Sequence, residues 1–180
     1  MGNKDIIIYN ESEKFIFDYI EKNILTYKTT TDDLFENILE ENKYYDFIFI
    51  DGDHREEQVD KDIRNSLKHL TEGGRIMLHD SLPWNELCGS DIRQENRWMG
   101  TVWKSIVKLN SLYEGLKYHV INTDNGCCII EKLKNFKEKE KPYTEDMQYG
   151  WVFYNETIKN AALNIISVEE FKNMLENKEI

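Results

Sequence analysis

A chain of 180 residues is long enough for one well-buried domain and too short for two ordinary ones. Its formal net charge of -11 argues against a nucleic-acid backbone or an anionic membrane surface as the main partner. No apolar run approaches the roughly 20 residues that span a bilayer, and the N-terminus lacks the pattern of a secretory signal. The three cysteines show neither a disulfide framework nor metal-ligand spacing. We therefore expect a single domain over residues 1–180, in the cytoplasm, with no nucleic-acid or membrane partner.

The N-terminal part of the sequence predicts two strands and two helices. Residues 5–9 and 23–28 are apolar enough for short strands, and residues 12–22 have the pattern of a helix between them. Residues 29–33 form a polar turn that caps a further helix from about Leu34 to Glu41.

The next part of the chain predicts a strand, a helix and a second strand. Two short apolar runs, Phe47 to Ile50 and Ile76 to Leu78, have the composition of buried strands. Gly73-Gly74 stands where a helix would end and the chain would turn back. This order predicts two neighbouring parallel strands. The apolar stripe of the intervening helix consists of Val59, Ile63, Leu67 and Leu70.

Charged side chains follow both predicted strands. Asp51 and His54 come after the first strand, and His79 and Asp80 come after the second. Because ligands bind outside the carboxyl ends of parallel strands, we expect these side chains at one rim of the sheet. Carboxylates and imidazoles there suit a general base, a divalent metal or hydrogen bonds to a polar ligand. The alternative is that Asp51 and Asp53 cap the following helix, which does not account for both strand ends.

A segment of some eighteen residues, 81–98, follows the second strand and has no predicted secondary structure. Loops of this length in compact domains are often lids or substrate-binding loops. Trp84 and Trp98 suit stacking on a sugar or another planar face, or the anchoring of the loop in the core. We favour substrate binding for Trp84 and a core position for Trp103, which lies in a predicted helix over residues 101–112.

The strongest turn signal predicts a hairpin. Residues 118–122 and 127–131 have strand character and are joined by Thr123-Asp124-Asn125-Gly126. Cys127 and Cys128 are then small strand residues rather than reactive thiols.

The C-terminal part, residues 132–180, is predicted to be a linker followed by a helical extension. The charge run 132–141 has the composition of a solvated linker. Residues 155–176 have a helical pattern with a break at Ser167, which would cap the last helix. Two alternatives stay open for an aromatic cluster, packing on the domain or on a second subunit of a homodimer: Trp151, Phe153 and Tyr154.

Several of the segments described above together resemble a known family, the class I S-adenosylmethionine-dependent methyltransferases. The resemblance is to small bacterial enzymes that are often found near genes for surface glycans. It implies a Rossmann-like α/β fold, with a mostly parallel sheet, helices on both faces and a C-terminal antiparallel hairpin. The segments that carry it are Tyr45 to His54, Gly73-Gly74, Leu78 to Asp80, Trp98 to Lys104, Thr123 to Gly126 and Leu163 to Phe171.

The resemblance also implies S-adenosylmethionine as cofactor. In the family, a glycine-rich turn approaches the cofactor, but this sequence has only Gly2 before Gly52. That half of the cofactor site is missing or replaced, and residues 1–22 form an atypical N-terminal segment. By resemblance, Thr31 and Asp32 lie near the adenine, although a simple helix cap accounts for them equally well. Asp51 and Gly52 complete the predicted cofactor contacts.

The implied reaction is methyl transfer to a hydroxyl of a sugar or other small molecule, which needs a base. His54 is the candidate base, since imidazole titrates near neutral pH, and Asp51 and Asp80 complete the catalytic set. In related metal-dependent O-methyltransferases, magnesium ligands stand at the positions of Asp51, His79 and Asp80. Imidazole is a poor ligand for a hard cation, so a metal-free His54, oriented by Asp80 or Asp51, stays an alternative.

Two other functions stay open. The lack of a glycine-rich turn favours a catalytically inactive or truncated protein of this fold that serves as a binding or partner subunit, whereas the retained strand-end residues favour an enzyme. A nucleotide-sugar-binding transferase would need basic residues for the diphosphate, and Arg93 and Arg97 are the hint for it.

Overall fold

The structure is a computed structural model. It falls into two compact units, Met1–Lys43 and Tyr44–Ile180, and the prediction of one domain over 1–180 stays a prediction. The helix predicted over 12–22 and the aromatic cluster of Trp151, Phe153 and Tyr154 lie outside the described residues. The structure describes residues 6–8, 25–27, 29–93, 98–140 and 156–177.

The first unit contains both predicted strands. Strand β1 (Ile6–Ile8) pairs in parallel with β2 (Leu25–Tyr27). Helix α1 (Thr31–Asp33) follows and continues as a π-helical turn, Leu34–Ile38. The helix begins earlier than predicted because Thr30 is its N-cap residue and accepts a hydrogen bond from the backbone of the first turn.

The described part of the second unit forms a five-stranded sheet in the order β3-β4-β6-β5-β7. The pairs β3/β4 and β5/β7 are parallel, and β6 runs antiparallel to both β4 and β5. This mixed α/β sheet with its helices is consistent with the predicted Rossmann-like fold. The elements of the unit are β3 (Tyr45–Ile50), α2 (Glu56–Lys68), β4 (Leu70–Leu78), α3 (Val102–Leu112), β5 (Tyr113–Ile121), β6 (Cys127–Glu138), α4 (Glu156–Leu163), β7 (Ile165–Ile166) and α5 (Val168–Glu176).

The predicted strand, helix and parallel strand are present as β3, α2 and β4. The apolar stripe of α2 is buried at Val59, Ile63 and Leu67. Leu70, predicted as the end of that stripe, is instead the first residue of β4, because the helix ends at Lys68.

The prediction that Gly73-Gly74 ends the helix is wrong. Both glycines lie inside β4, where the strand's register against β3 shifts between the pairs Tyr45↔Leu70 and Phe47↔Arg75. Gly73 has a φ of 75°, a conformation that costs glycine little. The glycines therefore serve an irregularity within the strand rather than a turn before it.

Helices α2 and α3 contribute to one core with the sheet. Trp103 is 1% exposed, and its indole N–H donates a hydrogen bond to the Gly89 carbonyl at 2.9 Å. The predicted core position of Trp103 is therefore confirmed. The same core includes Ile50, Ile63, Leu67, Ile76, Leu78, Ile106, Leu109, Val120, Cys128 and Ile130.

The predicted hairpin is confirmed, but its second strand is longer than expected. Strand β6 continues to Glu138, so most of the charge run 132–141 is strand rather than linker. The reason is that two residues of this charge run contact the rest of the unit, one by packing and one by hydrogen bonds. Phe136 packs against the core with its ring centroid 5.8 Å from that of Tyr113. Lys132 Nζ donates to the backbone carbonyls of Leu67 and Leu70.

The break predicted at Ser167 is confirmed in detail. Ser167 caps α5, and Glu170 completes a capping box by accepting from the Ser167 backbone at 2.7 Å. The helical pattern before it is interrupted by β7, which pairs with β5. Across the described residues, no helix is long and apolar enough to cross a membrane.

Candidate functional site

The rim at the carboxyl ends of β3 and β4 brings together the four residues predicted to meet there. Ile50 and Leu78 are aligned in the parallel pair, and the His79 backbone N–H donates to the Ile50 carbonyl at 3.1 Å. The loops after both strands therefore start side by side. Asp51 and His54 lie on the first loop, and His79 and Asp80 on the second.

His54 is held on both sides of its ring. Its Nδ1–H donates to the carbonyl oxygen of Trp98 at 3.0 Å. Its Nε2 lies 3.4 Å from Oδ2 of Asp80 and 3.7 Å from Oδ1 of Asp51. The indole of Trp98 stacks on the imidazole, with centroids 5.6 Å apart and planes inclined by 29°. The imidazole is thus oriented with one nitrogen on a carbonyl and the other facing carboxylates.

His79 is surrounded by carboxylates instead. Its Nδ1 lies 3.3 Å from Asp51 Oδ1 and 3.7 Å from Asp80 Oδ1, and its Nε2 lies 3.4 Å from Asp124 Oδ2. Because acidic groups face both ring nitrogens, the surroundings of His79 favour the imidazolium cation.

Asp80 is placed by an unusual backbone conformation. Its φ is 54°, in the left-handed region that aspartate tolerates better than most residues. The next two residues are tied to the β5–β6 turn: Ser81 N donates to the Gly126 carbonyl and Leu82 N to the Asn125 carbonyl. These two backbone hydrogen bonds hold the turn in which the Asp80 carboxyl group faces the imidazoles.

The two carboxyl groups differ in proton affinity. Burial raises the pKa of Asp51, but the nearby imidazoles of His54 and His79 outweigh it, so this pKa lies below its ordinary value. Burial also raises the pKa of Asp80, and there it outweighs the two imidazoles, so that pKa lies above its ordinary value. Asp51 is the more firmly ionised of the pair.

Both imidazoles hold a proton more tightly than usual. Burial lowers the pKa of His54, but the contacts with Asp51, the Trp98 carbonyl and Asp80 outweigh it, and the net shift is upward. Burial likewise lowers the pKa of His79, and the surrounding carboxylates again reverse the sign. The cluster is thus built to carry positive charge on its imidazoles.

The donor set does not fit magnesium. In the described part of the chain, the group whose ligand atoms lie within 4.8 Å of one another is Asp51, His54 and Asp80, with His54 where the prediction had His79. Magnesium prefers near-octahedral oxygen ligands. Here one donor is an imidazole nitrogen, and both carboxylates already face imidazoles.

The residues predicted to contact the cofactor fall in both units. Asp51 and Gly52 are exposed at the rim, and a methyl group on Gly52 would meet no atom nearer than Asp62 Oδ2 at 4.0 Å. Thr31 and Asp32 lie in the first turn of α1, in the other unit. All these cofactor roles stay predictions.

The two tryptophans predicted to bind substrate have different surroundings. Trp84 is 53% exposed on the loop after β4. Trp98 is half-buried against His54, and its indole N–H donates to the Ser90 carbonyl at 2.8 Å. The guanidinium of Arg93 lies 5.7 Å from the Trp98 ring centroid. The substrate roles of both stay predictions, but Trp98 has a second partner in His54 that its sequence position did not reveal.

Sequence reasoning missed Asp124, Gly100 and Thr101 as members of the site. Asp124 faces His79 from the hairpin turn, and the turn pattern was the signal that placed it at a strand end. Thr101 accepts a hydrogen bond from the Glu56 backbone through its hydroxyl at 2.9 Å. It thereby accepts a hydrogen bond from a backbone N–H in the first turn of α2, which has no partner within the helix. The two residues are 45 positions apart, so no local pattern could indicate the contact.

Residues 9–81 match the model of a family described as a methyltransferase domain. The matched segment includes the strand, helix and strand that end at the rim, together with its two aspartates and two histidines. No match to the chain was found among curated proteins.

Proposed function

We propose that the chain is a class I S-adenosylmethionine-dependent methyltransferase that methylates a hydroxyl group of a sugar or another small molecule. The match of residues 9–81 to a methyltransferase domain supports the reaction type. The observation that supports this reaction is the orientation of His54. Its Nε2 faces the rim beside Asp51 and Asp80, and its other nitrogen is bound to a backbone carbonyl.

His54 is the proposed general base. When bound, the cofactor supplies a methyl group on a positively charged sulfur, which keeps the bonding electron pair as the methyl leaves. The acceptor oxygen forms the new C–O bond as His54 Nε2 takes the hydroxyl proton. The imidazolium that results is stabilised by Asp80 and Asp51, the carboxylates nearest to Nε2.

His79 has a different proposed role in this reaction. It lies between the carboxylates of Asp51, Asp80 and Asp124, which favour its cationic form. In that form it pairs with Asp51 at 3.3 Å and leaves the acceptor proton to His54. The site thus has one imidazole to accept a proton and one to balance the carboxylates, and we propose that it works without magnesium.

A small, uncharged or cationic acceptor suits the surroundings of the site. The net charge of -11 disfavours polyanions, and Trp84 offers an exposed aromatic face on which a sugar ring could stack. The cysteines Cys88, Cys127 and Cys128 are free thiols, which supports the proposal of a reducing, cytoplasmic location. We retain a homodimer as a proposal for the assembly.

The first experiment is a calorimetric titration of the full chain with S-adenosylhomocysteine, with and without magnesium. Saturable binding that magnesium does not change is the expected result. Methyl transfer from labelled S-adenosylmethionine is then measured against a panel of sugars and small alcohols. His54→Gln should lower the rate by about 10²- to 10⁴-fold and leave cofactor binding unchanged.

The matched control is His119→Gln, a half-buried histidine on β5 whose Nδ1 lies 2.9 Å from the side-chain nitrogen of Asn164. Its methyl-transfer rate should equal that of the wild type. Absence of cofactor binding by the folded chain would contradict the enzyme proposal and favour a non-catalytic binding or partner subunit. Equal rates for His54→Gln and the wild type would reject His54 as the base.

A further inference from the structure

We propose that residues 98–101, the positioning segment, select the tautomer of His54 in which Nε2 is the free nitrogen. The inference rests on the proposed role of His54 as the base, and it assigns positioning rather than catalysis to the segment. Trp98, Gly100 and Thr101 each contact His54, through a different group in each case.

The first contact fixes the proton on the ring. A carbonyl oxygen can only accept a hydrogen bond, so the 3.0 Å contact with the Trp98 carbonyl requires a hydrogen on His54 Nδ1. Neutral imidazole carries one N–H, and its lone pair must then be on Nε2. The Trp98 indole stacked on the ring restricts its rotation about the side-chain axis. Together the carbonyl and the indole select both the tautomer and the orientation.

The carboxylates alone would select the opposite tautomer. Asp80 and Asp51 lie on the Nε2 side of the ring and accept hydrogen bonds when ionised. Without the Trp98 carbonyl, a neutral His54 would gain most by placing its hydrogen on Nε2, toward Asp80. That tautomer has no lone pair facing the acceptor. The positioning segment therefore decides whether the neutral imidazole can act as a base on this side.

The second contact is a close backbone approach at Gly100. Gly100 has a φ of 59°, and a methyl group added there would lie 2.2 Å from the His54 carbonyl oxygen and 2.7 Å from its Cβ. The only residue that fits this approach without displacing His54 is glycine. The segment thus crosses directly over the backbone of the histidine that it orients.

The third contact joins the segment to the helix after His54. Thr101 N donates to the His54 carbonyl at 2.8 Å, and the Thr101 hydroxyl accepts from Glu56 N at 2.9 Å. Thr101 is 1% exposed, so these bonds are shielded from water. His54 is therefore fixed through its backbone as well as through its ring.

The positioning segment is itself held by hydrogen bonds to the loop that follows β4. The Trp98 indole donates to the Ser90 carbonyl at 2.8 Å, and Met99 N donates to the Cys88 carbonyl at 3.0 Å. Met99 is 1% exposed. Since the anchors are buried or bonded to backbone, the Trp98 carbonyl cannot follow a moving imidazole and sets its position instead.

The experiment is nitrogen-15 NMR of the histidines in the full chain, without cofactor, at a pH where His54 is neutral. The chain has four histidines, and the His54 signals are those lost in His54→Gln. We expect a protonated Nδ1 and an unprotonated Nε2 in the wild type. In Gly100→Ala we expect the two shifts to converge, as a mixture of tautomers gives, and the methyl-transfer rate to fall by about 10²-fold.

Two further variants keep the test decisive if Gly100→Ala does not fold. Trp98→Leu keeps the carbonyl but removes the stacked ring that holds the imidazole against it, so the two shifts should also come together. Trp98→Phe keeps a ring over His54 and should give the wild-type shifts. The matched control is Gly73→Ala. Gly73 also has a positive φ, but no atom lies within 4 Å of an added methyl group, so the His54 signals should not change.

A wild-type His54 with its proton on Nε2 would overturn the proposal. So would wild-type shifts in folded Gly100→Ala, or in folded Trp98→Leu if the glycine variant does not fold. The shifts require neither cofactor nor acceptor, so they test this geometry separately from methyl transfer. A chain with the expected shifts and no methyl transfer would contradict the proposed function and leave the positioning of the ring intact.

Discussion

His54 Nε2 lies 3.4 Å from Oδ2 of Asp80, although the two residues follow different strands of the sheet. The parallel pairing of β3 and β4 brings their loops together, and the left-handed backbone at Asp80 aims its carboxyl group at the ring. A carboxylate at this distance stabilises the charge that the imidazole gains when it takes a proton.

The rate of methyl transfer should depend on pH through His54. As base the ring must be neutral, so the rate falls as pH decreases through its pKa. Asp51, the Trp98 carbonyl and Asp80 outweigh burial and raise that pKa above the ordinary 6.5, and the fall should therefore be centred above pH 6.5. The pKa of His79, the other imidazole of the cluster, is also raised.

Asp80→Asn tests the sign of this dependence. The substitution removes a negative charge beside the imidazolium, so the pKa of His54 falls and the fall in rate moves to lower pH. The pH profile of kcat/KM for both proteins is the measurement. Asp53→Asn is the control, because Asp53 pairs with Arg55 rather than with His54. A shift to higher pH in Asp80→Asn would contradict the assignment.

The folded protein should become less stable as pH rises above 6.5, because His79 then loses its proton. Burial lowers the pKa of His79, but Asp80, Asp51 and Asp124 raise it by more, so the folded value lies above the ordinary 6.5. The extra stability is then fully present below the unfolded pKa and is lost as pH rises through the folded pKa. His54, whose pKa is also raised, contributes with the same sign.

Urea unfolding of the wild type and His79→Gln, across the pH range around neutrality, measures this contribution. The variant should show a weaker decline of the free energy of unfolding with rising pH. His69→Gln is the comparison, since His69 lies at the end of α2 away from the rim. An equal decline in the wild type and His79→Gln would show that the carboxylates around His79 do not favour its cation.

Removal of divalent metal should not change the methyl-transfer rate. The donor set of two carboxylates and an imidazole, with both carboxylates facing histidines, fits magnesium poorly. Activity with excess EDTA should therefore equal activity with added magnesium. Activity lost in EDTA and restored by magnesium would contradict this, and it would support the metal role predicted for Asp51, His79 and Asp80.

Two tryptophans should respond differently to truncation. Trp103→Ala removes a side chain that is 1% exposed in the core and should lower the free energy of unfolding by about 3–5 kcal/mol. Trp84→Ala changes a side chain that is 53% exposed and should alter stability by less than about 0.5 kcal/mol.

The kinetic result separates the two roles further. Trp84→Ala should raise KM for the acceptor if its ring stacks on the substrate, with kcat and cofactor binding unchanged. Thermal or urea unfolding and steady-state kinetics of the variant are the measurements. An unchanged KM would remove Trp84 from the substrate site.

Much of the rim could be predicted because its signals are local. The runs Phe47–Ile50 and Ile76–Leu78 are short and apolar, with a helix between them, and parallel strands end at the same edge of a sheet. His54 and Asp80 therefore had to lie near each other. The resemblance to methyltransferases was carried in part by the same residues, and the match of residues 9–81 to a methyltransferase domain agrees with it.

The parts that were wrong or missed depend on contacts between distant segments. The strand β6 was predicted to end early because Lys132 and its neighbours look like a solvated charge run, but Phe136 and the sheet pairing hold them. Gly73-Gly74 has the sequence of a turn and the structure of a strand irregularity. The contact of Trp98 with His54 joins residues 44 apart, and no local pattern indicates it.

The φ of 54° at Asp80 limits which amino acids can stand at that position, independently of charge. A left-handed conformation costs most side chains about 1–2 kcal/mol, whereas glycine, asparagine and aspartate adopt it more easily. In a library randomised at this codon and sorted only for folded protein, those three should be enriched and valine and isoleucine depleted. Of the two uncharged residues in this group, asparagine keeps the shape of the aspartate side chain and glycine does not. Asp80→Asn is therefore the substitution that removes the charge and keeps the backbone conformation.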